Sequence, residues 1–104
     1  MEAARSKKAS NLIMLDMRTV TLVADYFVLM TATSTTHVDT LADAIEASLK
    51  VQGTVLWHRE GARGAHWVLL DFGDVVVHIF TADERRYYDL ERLWGDANVV
   101  AIAP

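Results

Sequence analysis

Trp67-Val-Leu-Leu-Asp-Phe-Gly-Asp-Val-Val-Val-His-Ile-Phe80 holds two apolar runs joined through Gly73-Asp74, and its reading decides the fold. With Gly73 and Asp74 as the central residues of a type II′ turn, where glycine takes a positive φ without steric cost, Phe72 pairs with Val75 and the hairpin register follows. Side chains alternate across a strand, so Val68, Leu70, Phe72, Val75, Val77 and Ile79 share one face with no polar side-chain atom among them. That face is core. Trp67, Leu69, Asp71, Val76, His78 and Phe80 share the other, which sets large anchors beside a carboxylate and an imidazole. Such a mixture suits a surface that is at times wet and at times covered by a partner. The plainer alternative is that Trp67 pairs with Phe80 across the strands and is covered by a helix.

Working outward, the chain alternates strands and helices. Leu12 to Met17 reads as a short first strand and Asp25 to Ala32 as a second with both faces largely buried. Val38, Leu41, Ala42, Ile45 and Leu49 recur at helical spacing, placing one stripe on the sheet while Asp39, Asp43, Glu46 and Lys50 face water. Ser34, Thr35 and Thr36 compete to cap this helix. Thr36 with Asp39 has capping-box spacing, and Gly53 supplies the stop. A third strand is expected over Val55 to His58, then a two-glycine loop from Arg59 to His66, with the hairpin ending at Thr81. Ala82 to Trp94 is rich in helix formers, and Val99 to Ile102 either adds a short extended segment or trails off. The order of elements implies an α+β fold, a layered arrangement in which one mixed sheet of about five strands is flanked by helices.

The chain has 104 residues, 52% of them hydrophobic, enough for a single domain with one modest core. It has no cysteine, so disulfides, thiolate nucleophiles and thiolate metal sites are excluded together. The apolar runs are strand-sized and the first residues, Met1 to Lys8, lack a secretory apolar stretch, which makes a cytoplasmic protein without membrane contact the expectation. A net charge of −4 argues against a broad grip on nucleic-acid phosphate and in favour of a basic protein partner.

Three stretches then act together: Asp25-Tyr-Phe-Val28, the hairpin Trp67 to Phe80, and Tyr88-Asp-Leu-Glu-Arg-Leu-Trp-Gly-Asp96. In this order, from about Lys7 to Asp96, they resemble the ribosomal silencing factor family, also called Iojap-like or RsfS. The resemblance implies a nucleotidyltransferase-like fold without transferase activity or cofactor, often homodimeric. It further implies binding to the large ribosomal subunit through its protein L-fourteen, which keeps the small subunit from joining and lowers translation when nutrients are scarce. Trp67, Leu69 and Asp71 match the family's contact motif, and Val76 and His78 lie on the same face of the hairpin. Trp67, Phe80 and Trp94 are candidates for a dimer contact.

The chain departs from the family at the helix entry, where Ala32 replaces a common glycine and His37 stands where glutamine is common. His37 is not expected to reproduce the glutamine's capping contact, a loss of about 1 kcal/mol at most. The family also begins with a longer helix before Lys7-Lys8-Ala9, so a shortened first helix is expected, and residues 97–104 are read as a tail.

Other chemistry is weaker. Asp71-Phe72-Gly73 matches a kinase metal-binding tripeptide by letters, without the glycine-rich and catalytic loops that give it meaning. Asp71, Asp74 and His78 suggest a divalent ion, yet the strand pattern separates Asp74 in the turn from the other two, so no metal is expected. His58 and His66 flank the loop and are read as exposed. The rivals to ribosome binding are a homodimeric interaction module and a minimal metal-dependent nucleotidyltransferase, and Thr31 to Thr36 lacks the phosphate-binding turn that a transferase needs.

Overall fold

A computed structural model of the chain describes residues 7–18, 24–84 and 98–103. The elements run β1 (Ser10–Asp16), β2 (Tyr26–Ala32), α1 (Thr35–Val51), β3 (His58–Glu60), β4 (Trp67–Asp71), β5 (Val75–Thr81) and β6 (Asn98–Ala103). All six strands form a single sheet in the order β3-β4-β5-β2-β1-β6. It is mixed, because β2 and β5 pair in parallel while the remaining neighbours are antiparallel. The α+β class is as expected. The strand beyond five is β6, which takes the extended alternative left open for Val99 to Ile102 and pairs with β1.

The hairpin has the expected register, with Trp67 opposite Phe80, Leu69 opposite His78 and Asp71 opposite Val76. Phe72 N–H donates to Val75 O at 2.9 Å across the turn. Gly73 has φ +92° and Asp74 does not share its positive sign, which fits a II′ turn. A sheet with β2 and β5 at its centre has two faces to cover. Under α1, Val28, Met30, Val68, Leu70, Val77 and Ile79 pack against Val38, Leu41, Ala42 and Ile45. On the opposite face Leu15, Met17, Leu29 and Phe80 form a second cluster with Ile13, Phe27 and Trp67 against them. Among the described residues no helix is long and apolar enough to cross a membrane.

Three local expectations are corrected. The cap of α1 is Ser34, whose Oγ accepts from His37 N–H at 3.1 Å, and Thr36 with Asp39 forms no box. Asp39 instead accepts from Gly64 N–H at 3.1 Å, while Asp43 and Glu46 take Arg59, and Asp43 also takes Arg63. The polar side of α1 therefore carries the β3–β4 loop in addition to facing water. Strand β3 begins at His58 and includes Arg59 and Glu60, the residues that stand in register with β4. Val55 and Trp57 are left on the surface.

His37 does more at the helix entry than its chemistry suggested. Its Nδ1 accepts from Thr33 N–H at 2.9 Å, one residue before the position a capping box would use, and its Nε2 lies 2.6 Å from Lys7 O. The side chain thus ties the residues before β1 to the start of α1. The tail helix is described only over residues 82–84, where Thr81 Oγ1 accepts from Glu84 N–H. Trp94, the proposed first helix and the rest of the tail helix lie outside the described residues.

Candidate partner-binding face

Alternation along β4 turns Trp67, Leu69 and Asp71 to the face opposite α1, and all three are half-buried. Next to β4, β3 sets Glu60 opposite Leu69. Glu60, Gly61, Trp67 and Leu69 line an open depression of about 400 Å³. Gly61 is required there twice over. Its φ is +104°, and a Cβ would stand 2.8 Å from Trp67 O and 3.0 Å from Val68 Cγ2.

The remaining predicted residues stand behind this surface. Val76, His78 and Phe80 are 4%, 3% and 0% exposed, which corrects the expectation that they lie on it. Alternation predicted their direction correctly but carries no information about what closes over a face. Trp67 meets Phe80 edge-on, with ring centroids 5.3 Å apart, so the cross-strand pairing of the plainer reading is present. The same indole keeps an accessible edge on the depression, so the pairing supports the surface without replacing it.

His78 sits among rings, 4.7 Å from Phe27 and 5.9 Å from Trp67 between centroids. Trp67 Nε1–H donates to His78 Nδ1 at 3.2 Å. An indole N–H only donates, so Nδ1 carries a lone pair and the neutral ring bears its hydrogen on Nε2. Burial pushes the His78 pKa down to about 4, and the ring is neutral near pH 7. It offers no charge to a partner. Held itself against Phe27 and Phe80, it fixes the indole of Trp67 through one hydrogen bond and one ring contact.

Asp71 has a divided task. One oxygen accepts from Gly73 N–H at 2.8 Å and shapes the turn, leaving the other for a cation. Arg63 and then Arg59 hold the Asp43 carboxyl below its usual range, fixing the loop that begins at Gly61. Among the described residues no group of three His, Asp or Glu side chains gathers as metal ligands do, and His78 is enclosed by rings away from Asp71 and Asp74. His58 and His66 are exposed, with His58 Nε2 3.0 Å from Glu60. Glu60 and Gly61 escaped the sequence reading. Their signal was the two-glycine loop, which marks a close approach without saying of what.

Comparison with known proteins adds an independent line. A family model described as "Ribosomal silencing factor during starvation" matches residues 1–104. The chain is 45% identical over 95 residues to "Ribosomal silencing factor RsfS" of Bacillus subtilis, covering 91% of this chain and 80% of that protein. It is 42% identical over 100 residues to the protein of the same name from Halalkalibacterium halodurans, covering 96% and 86%. A crystal structure of a Chromobacterium violaceum protein superimposes with a TM-score of 0.87 at 35% identity, covering 99% of this chain and 85% of that one.

Proposed function

The chain belongs to the ribosomal silencing factor family, and from that premise we propose that it represses translation in the cytoplasm by obstruction. Its target is the large ribosomal subunit, held through protein L-fourteen, and its effect is to keep the small subunit from joining when nutrients are limiting. The observation that carries this reading is the depression formed by Trp67 and Leu69 with Asp71 on the same face. Two half-buried apolar anchors flanked by a carboxylate make a hot spot for a basic partner. No catalytic step is needed.

The test is gradient sedimentation of separated subunits at cytosolic magnesium. The protein is expected to co-migrate with the large subunit and to reduce joined ribosomes. Trp67→Ala should weaken binding by roughly 1.5–3 kcal/mol, about ten- to a hundredfold in Kd. Failure of the wild-type protein to co-migrate would overturn the proposal. A folded Trp67→Ala protein that binds normally would remove the face from it.

A further inference from the structure

Val51, Val55 and Trp57 are the exposed large hydrophobics among the described residues, at 89%, 69% and 74%. They belong to one end of the molecule, where α1 finishes and the chain turns into β3. Trp57 N–H donates to Asp71 O at 2.8 Å, and a Cβ on Gly73 would stand 3.1–3.3 Å from three atoms of its indole. The indole is laid on the hairpin turn, held in place but left uncovered. At 74% exposed it buries little beyond its contact with Gly73 among the described residues. Beside it Glu46, Lys50, Gly53, Thr54, Val55 and Leu56 line a depression of about 350 Å³.

The surroundings are acidic. Asp74 is exposed in the turn, and its carbonyl accepts from Asp25 N–H at 2.8 Å and Tyr26 N–H at 3.0 Å, which brings exposed Asp25 to the same end. Neither carboxylate is ion-paired among the described residues. Among the described residues, Arg18 is paired with Asp16 at 2.6 Å and also acts on Asp25, and Lys50 lines the depression together with Glu46. This place adjoins the first surface at Asp71 but lies away from the Trp67 depression itself. Trp67 opens β4 and Trp57 bonds to its last residue, a strand length of about 13 Å away. Trp57 lies against Gly73 of the hairpin turn, whereas Trp67 packs with the cluster on the face opposite α1.

We propose that this end is a second docking surface, and that its occupant is a basic segment of a large-subunit protein presenting Arg beside an aliphatic side chain. The inference rests on the ribosome-binding reading above and adds a second point of attachment to it. Guanidinium groups stack on an exposed indole and pair with carboxylates such as Asp25 and Asp74, while the depression beside Val55 takes an aliphatic group. Ribosomal RNA would bring phosphate against these carboxylates, and a second copy would bring like charge against like.

Purified large subunits are the probe, with binding of wild type, Trp57→Ser, Asp74→Lys and Trp67→Ala followed across a potassium chloride series. Trp57→Ser is expected to weaken binding about tenfold with unchanged melting temperature, and Asp74→Lys to weaken it about fivefold with a shallower salt dependence. Benzoylphenylalanine placed at position 57 is expected to crosslink to a ribosomal protein. Wild-type affinity in both Trp57→Ser and Asp74→Lys, with loss confined to Trp67→Ala, overturns the second surface and leaves the first. Crosslinking to ribosomal RNA or to a second copy overturns the occupant. No binding by the wild type overturns both readings.

Discussion

At the scale of the residue, His78 shows how a titratable group becomes structural. Its depressed pKa means that the unfolded chain, with an ordinary value near 6.5, binds a proton that the folded chain refuses. The stability this neutral ring represents is therefore fully present above pH 6.5 and is lost as pH falls toward 4, by at most about 3 kcal/mol. Protonation also converts Nδ1 from acceptor to donor, opposing the indole N–H of Trp67. Denaturant melts of wild type and His78→Leu between pH 7.5 and 4.5 check this. The wild type should lose stability across the window, and the variant should show a flatter profile from a lower starting point. Parallel profiles would assign the acid loss to other groups. The direction of the His78 side chain was legible from alternation, but its neutrality was not, because burial depends on what lies over the sheet.

The elements show where local pattern suffices and where it fails. The hairpin register followed from one glycine and an even alternation, since a two-residue turn leaves a single pairing. The stripe of α1 was equally legible, because Val38, Leu41, Ala42 and Ile45 need only helical spacing to find the sheet. Strand β3 was misplaced because Val55, Leu56 and Trp57 have the composition of a strand, while pairing is decided by the ladder that β4 offers. His37 was underestimated for a related reason. Its bonds to Thr33 and Lys7 depend on a neighbour thirty positions away in sequence, which no capping rule includes. The β3–β4 loop supports a direct comparison. Gly61 and Gly64 both have positive φ, but a Cβ at Gly61 collides with Trp67 O and Val68, whereas Gly64 faces open space. Gly64→Ala should cost about 1 kcal/mol for its backbone alone, and Gly61→Ala at least about 1 kcal/mol more. Equal losses in denaturant midpoint would mean that the loop moves aside and that the wall of the depression is soft.

For the whole molecule, the exposed edges of Trp67 and Leu69 can be covered by only one surface at a time. If the homodimer that the family resemblance implies forms through this face, it must open before the large subunit can take its place. Asp71 biases the choice, since a basic partner satisfies its carboxylate and a second copy sets it against its own equivalent. Self-association and ribosome binding are therefore expected to compete, with the ribosome favoured at low protein concentration by mass action. Sedimentation velocity of the protein over a concentration series, alone and with large subunits in excess, measures both equilibria. The subunits should draw a dimer into one-to-one complexes, and Trp67→Ala should weaken dimer and complex together. If the variant leaves both unchanged, the Trp67 face serves neither. If it lowers ribosome binding alone, the dimer forms elsewhere and competition disappears. In that case Trp94, on the segment after β5, becomes the next residue to substitute. Because Trp57 lies about a strand length from Trp67, Trp57→Ser should leave a dimer formed through Trp67 intact, which separates the two surfaces within one experiment.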